Sequence, residues 1–186
     1  MKSTEAYEER LKRVDMHDYF LNRIKSAMSA ENYIEANWLI YACFENRYFR
    51  TVQKYRAGCK YCRSKSKCNK KDKNELALLT KINCVQRLFN AGITCITEAF
   101  SSDIFEQTKK WVKGRNNLMH ELLSLEYYEN TDELFRKSAE EGYNLLSKTY
   151  EYCTEFRKLF FEEGYQFEMP DEVADKCPCK PQEKQT

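Results

Sequence analysis

Arg115, Asn116 and His120 are the residues of this 186-residue chain best suited to chemistry. They stand in the stretch WVKGRNNLMHELLSL, Trp111 to Leu125, which reads as a helix. His120 is one of only 2 histidines, so few other side chains can exchange protons near neutral pH. Metal-free cleavage of RNA asks for such a set. An imidazole moves the 2′-hydroxyl proton, and a guanidinium takes the charge that develops on the phosphate. Asn116 precedes His120 by one helical turn and shares its face, where it can orient the ring or hold a phosphate oxygen. Arg115 and His120 lie roughly 140° apart around the axis, so only the length of arginine brings both to one groove. One copy supplies a single histidine here. A two-fold dimer through this helix supplies two, enough for a base and an acid.

The elements that must position this set are helical. Only 5 Gly and 3 Pro interrupt a composition rich in Tyr, Phe, Leu, Glu and Lys. Helices are expected from about Thr4 to Met28, from a cap near Ser29 to about Arg56, and from about Asn74 to Asn90, where NAG marks a stop. ITCITEAF suits a helix or a strand. Ser101 or Ser102 caps the Arg–His helix, and Asn130 with Glu133 opens the last one, which runs to about Glu163 and stops at Gly164.

Helical spacing sets Ile104, Thr108, Trp111, Arg115, Leu118, Leu122 and Leu125 on one seam. Val112, Asn116, Met119, His120 and Leu123 form a second stripe, which is available to a partner chain. The second helix carries Ile34, Trp38, Tyr41, Glu45, Tyr48, Val52 and Tyr55 on one face. A carboxylate on so aromatic a seam needs a cation, and Arg115 is the expected partner, with Glu45 fixing its direction. In the last helix Phe135, Ala139, Gly142, Leu146, Thr149, Cys153, Phe156 and Phe160 share a stripe. Its central glycine predicts close approach of a second helix backbone, most naturally that of the Arg–His helix.

The expected architecture is all-α: an up-and-down bundle of four to five long helices over residues 1–169, and a polar tail at 170–186. A formal net charge of +2 gives no global field for nucleic acid. The charged N-terminal stretch and the short apolar runs predict a cytoplasmic protein with no membrane span.

Arg115, the polar Asn116 after it and His120 match the RX4-6H motif on a late helix, and in this the chain resembles the HEPN domain family. The resemblance covers roughly Thr4 to Glu163 in architecture and the motif alone in residue detail. It implies a dimeric α-bundle and a metal-independent endoribonuclease of the kind found in toxin–antitoxin, abortive-infection and CRISPR-associated systems. By that resemblance Arg115 binds the scissile phosphate, His120 transfers protons, Asn116 supports both, and 2′-hydroxyl attack leaves a cyclic 2′,3′-phosphate. An antitoxin or another defence component is an implied partner. Some members of the family bind RNA or proteins without cutting, so a non-catalytic helical module is the alternative.

A loop at 58–73 lies outside that pattern. Cys59, Cys62 and Cys68 have turn-compatible spacing for structural zinc, with Cys177 or Cys179 from the CPC tail as a fourth ligand. Zinc would display Lys60, Arg63, Lys65, Lys67, Lys70 and Lys71, with Lys73, as an RNA-backbone contact. A flexible basic loop with free thiols is the other reading. Cys43, Cys84, Cys95 and Cys153 sit in apolar helical context as small core residues.

Overall fold

The structure, a computed structural model, describes residues 2–56, 77–122 and 130–161, with side chains over 16–51, 77–122 and 130–160. The fold is all-α. Among the described residues there are six helices and no strand: α1 (Lys2–Ser29), α2 (Tyr33–Arg56), α3 (Leu78–Asn90), α4 (Thr94–Thr97), α5 (Ser102–Glu121) and α6 (Thr131–Phe161). No helix among these residues is long and apolar enough to cross a membrane.

Two helix ends show how local chemistry sets the boundaries. After α1, Glu31 adopts the left-handed conformation (φ 56°). The Asn32 N–H then reaches back to the Ala27 carbonyl at 2.8 Å, and the Glu31 N–H to the Met28 carbonyl at 3.1 Å. This is a Schellman closure of the helix's orphan carbonyls. Asn32 next caps α2, accepting the Glu35 N–H at 3.3 Å and donating to the Glu35 carboxylate at 2.9 Å. The expected cap at Ser29 is corrected: Ser29 is the last residue of α1. After α3 the same closure recurs with glycine, Gly92 at φ 71°, so the stop read from NAG stands where expected. α3 begins at Leu78, after Ala77 in extended backbone, and the expected start at Asn74 lies outside the described residues; ITCITEAF resolves to the single helical turn α4.

The chain divides into two compact units, Met1–Cys43 with Trp111–Leu146, and Phe44–Lys110 with Ser147–Thr186. The first is built on Ile24, Ala36, Ile40, Val112, Phe135, Ala139 and Leu146, all buried. Asn37, fully buried, joins α2 to α6: its amide donates to the Tyr33 and Phe135 carbonyls at 2.8 and 2.9 Å, and its carbonyl accepts the Ser138 hydroxyl at 2.7 Å. Every side-chain polar atom of this residue is matched, so its burial costs little. The second unit has an aromatic core in which Phe100 packs against Phe105, Tyr152 and Phe156 at centroid distances of 5.6, 5.9 and 6.4 Å.

The α6 stripe is buried from Phe135 through Phe156, with Phe160 half-buried. Gly142 does mark a close approach, but of a side chain rather than a backbone. A Cβ there would stand 2.5 Å from the Trp111 indole, whose N–H donates to the Ser138 carbonyl at 2.8 Å. The α2 seam is one position off. Ala36, Asn37, Ile40, Cys43, Phe44, Tyr48 and Thr51 are buried, whereas Trp38 is 56 % exposed. Of the expected stripe Tyr48 is fully buried, whereas Trp38, Tyr41 and Glu45 lie beside the interior face, which Ala36, Asn37, Ile40 and Phe44 fill in their place. Cys43, Cys95 and Cys153 are buried and Cys84 half-buried, none in a disulfide. Burial raises the Cys95 and Cys153 thiols to about 11, which keeps them protonated and inert.

Candidate functional site

The site grows from the α5 seam in the first unit. Trp111 is fixed by its bond to Ser138 and by the gap at Gly142. One turn further on, Arg115 projects along the same seam and is only 7 % exposed. Its guanidinium carbon lies 4.7 Å from the Tyr41 ring centre and 4.9 Å from that of Trp38. These two rings stand one turn apart on α2, so α2 presents an aromatic bracket to the cation. Arg115 Nη1 donates to Asn116 Oδ1 at 3.2 Å. Nε and Nη2 are buried and have no hydrogen-bond partner among the described residues. Burial lowers the Arg115 pKa, with Tyr41 acting in the opposite direction. A guanidinium still carries its charge at any physiological pH.

Asn116 is half-buried and His120 exposed, one turn apart on the flank of the seam. Lys113, also exposed, is seven residues before His120 and so on the same face. Among the described residues no hydrogen bond fixes the His120 ring. The arrangement therefore grades along α5 from a sequestered cation, through an amide that touches it, to an accessible imidazole with a lysine beside it. Such a grade suits an anion that enters from the exposed flank.

No family model, curated protein or solved structure matches this chain.

Of the residues singled out from the sequence, the structure brings Arg115 and Asn116 into contact and leaves His120 on the open side. Glu45 is corrected. It receives Lys81 Nζ at 2.7 Å, in the second unit, and Arg115 takes aromatic faces and an amide oxygen in place of a carboxylate. Lys81 lies on α3, whose register brings a long stem to Glu45, and the sequence offered no sign of that pairing. Val112 is also corrected: it is fully buried and belongs to the chain's own core, so it cannot line an exposed dimer stripe. Leu123 lies outside the described residues, as do Cys59, Cys62, Cys68, Cys177 and Cys179 and the basic residues Lys60 to Lys73. Among the described residues no cluster of metal-ligating side chains occurs. Sequence reasoning missed Trp38 and Tyr41 as partners of Arg115. The signal available was two aromatics three apart, facing a cation of equal oddity on another seam.

Proposed function

We propose that this chain is a metal-independent endoribonuclease of the HEPN type, an up-and-down helical bundle acting as a dimer in a defence or toxin role. The observation that carries the reading is the state of Arg115. Among the described residues it is a buried cation whose Nε and Nη2 donors are unspent and which no carboxylate neutralises. Desolvating an unpaired charge costs several kcal/mol, and two cation–π contacts of about 1–2 kcal/mol return only part of that. A fork of N–H donors is shaped for phosphate, and Asn116 Oδ1 holds the position that a phosphate oxygen would take.

In the reaction His120 accepts the 2′-hydroxyl proton as the 2′-oxygen attacks phosphorus. The P–O5′ bond breaks, and the leaving 5′-oxygen takes a proton from the second histidine of the dimer. The products are a cyclic 2′,3′-phosphate and a free 5′-hydroxyl. Arg115 meets the charge gathering on the non-bridging oxygens, Asn116 releases and then steadies the guanidinium, and Lys113 holds the flanking backbone. No step calls for a metal ion. The zinc proposed for the cysteine loop is structural, and the antitoxin or defence partner is part of the same proposal.

The test is purified protein with end-labelled RNA. Cleavage is expected to persist in EDTA, to yield cyclic phosphate ends, and to fall at least about a hundredfold in His120→Ala with the variant still folded. Equal activity in wild type and His120→Ala would overturn the catalytic reading. One observation favours the alternative, a helical module that binds RNA or a protein without cutting it: among the described residues nothing orients His120. RNA binding that depends on Arg115, with no cleavage, would decide for that module.

A further inference from the structure

We propose that Trp38 is a stacking platform for an unpaired nucleobase whose phosphate is held at Arg115, so that this site takes single-stranded RNA. The phosphate half of the proposal rests on the ribonuclease reading; the indole half rests on its own geometry. Trp38 is 56 % exposed in a unit whose other tryptophan, Trp111, is 3 % exposed. Indole is seldom left so open, because it carries a large apolar surface. Its setting is fixed: α2 is capped at Asn32, and Glu35, one turn before Trp38, is held by Arg23 at 2.8 Å. Arg115 stands over the ring, and the exposure that remains leaves ring surface open to a second flat ligand.

The surroundings decide what that ligand is. The Arg23–Glu35 ion pair lies one turn before the indole on α2, and the buried guanidinium lies over its ring. The core of a protein–protein interface is depleted in charge, so this rim is a poor match for an apolar protein face. It matches a ligand that joins a flat aromatic ring to an anion. A nucleotide does so on one sugar, base to indole and phosphate to guanidinium. Base-on-aromatic stacking with a cation beside it is the general mode of single-strand binding, and it tolerates any base because every base has a π-face. In a duplex the bases already stack on one another and cannot reach the indole.

The experiment uses the full chain and a mixed-sequence 2′-O-methyl oligonucleotide, which lacks the attacking hydroxyl and so reports binding without cleavage. Its abasic counterpart and its duplex serve as comparisons. Binding of the single strand is expected to quench tryptophan fluorescence. Trp38→Ala should abolish the quench and weaken affinity about ten- to hundredfold. Trp38→Phe should restore most of that affinity, and the abasic strand and duplex should bind equally to wild type and Trp38→Ala. Three results would overturn the proposal: equal affinity of wild type and Trp38→Ala for the single strand, an abasic strand bound as tightly as the complete one, or a wild type that binds no strand. Loss of a dimer in Trp38→Ala, with no dependence on bases, would likewise overturn it and assign the indole to a second copy. The two readings separate cleanly. Base-dependent binding without cleavage of the matching RNA keeps Trp38 and removes the nuclease, and cleavage unchanged by Trp38→Ala does the reverse.

Discussion

Two cations are buried among the described residues, and the chain treats them in opposite ways. Lys81, in the second unit, is 2 % exposed and donates to Glu45 at 2.7 Å with the Phe49 ring 5.6 Å away. The Glu45 side chain is 41 % exposed, so the pair buries one charge and leaves the other in touch with water. Arg115, in the first unit, is 7 % exposed and has two rings and one amide oxygen. Lys81 is spent on structure. Among the described residues Arg115 keeps a net charge, with its Nε and Nη2 donors in hand. A neutral bracket can hold a cation in place without cancelling it, and that is what an anion-binding residue requires.

This contrast can be broken at Lys81. Lys81→Met removes a charge-assisted bond but leaves Glu45 able to reach solvent, so it should cost about 1.5–3 kcal/mol in chemical denaturation with RNA cleavage unchanged. Glu45→Gln should cost at least as much, about 3 kcal/mol, because the amide oxygen still accepts from Lys81 but no longer neutralises its buried charge. A loss of activity in either variant would mean that the two cations are not separate in role. Gly142→Ala sharpens the comparison from the Arg115 side. The added methyl must displace the Trp111 indole, and the packing penalty of about 1–3 kcal/mol is offset by about 1 kcal/mol of helix propensity. A small fall in melting temperature with a larger fall in RNA affinity is expected, because Trp111 is the neighbour that sets the seam on which Arg115 lies.

The helices were legible because their punctuation is local. Asn90 and Gly92 state the end of α3, and Gly142 in α6 states that something comes close, which is the Trp111 side chain. The exchange of Ser29 for Asn32 as cap shows the limit. Both can cap, and the choice depends on where α1 closes, which Glu31 decides by adopting a conformation that its side chain does not favour. Long-range pairing was less legible. The oddity of Glu45 and of Arg115 was visible in each helix separately, yet Glu45 found Lys81 across 36 positions of sequence. Spacing tells which residues share a face and not which faces meet. The α2 stripe failed for a related reason. Tyr48 is core as its size suggested, but Trp38 and Tyr41 are not, and the interior face at that end of α2 is made of Ala36, Asn37 and Ile40, where Asn37 fits because Phe135 and Ser138 in α6 match it.

On the proposed function, Arg115 is kept without a carboxylate partner among the described residues so that it can take a phosphate, at some cost to stability. Arg115→Met tests this most directly, with melting temperature and single-turnover RNA cleavage in EDTA measured on the same preparation. The substitution removes an uncompensated buried charge, retains an apolar side chain of similar length, and strands only the half-exposed Asn116 amide. The predicted result is a melting temperature equal to or above that of wild type, with cleavage reduced at least about a hundredfold. A variant that melts well below wild type and still cleaves RNA at the wild-type rate would contradict it, and would make Arg115 a structural residue.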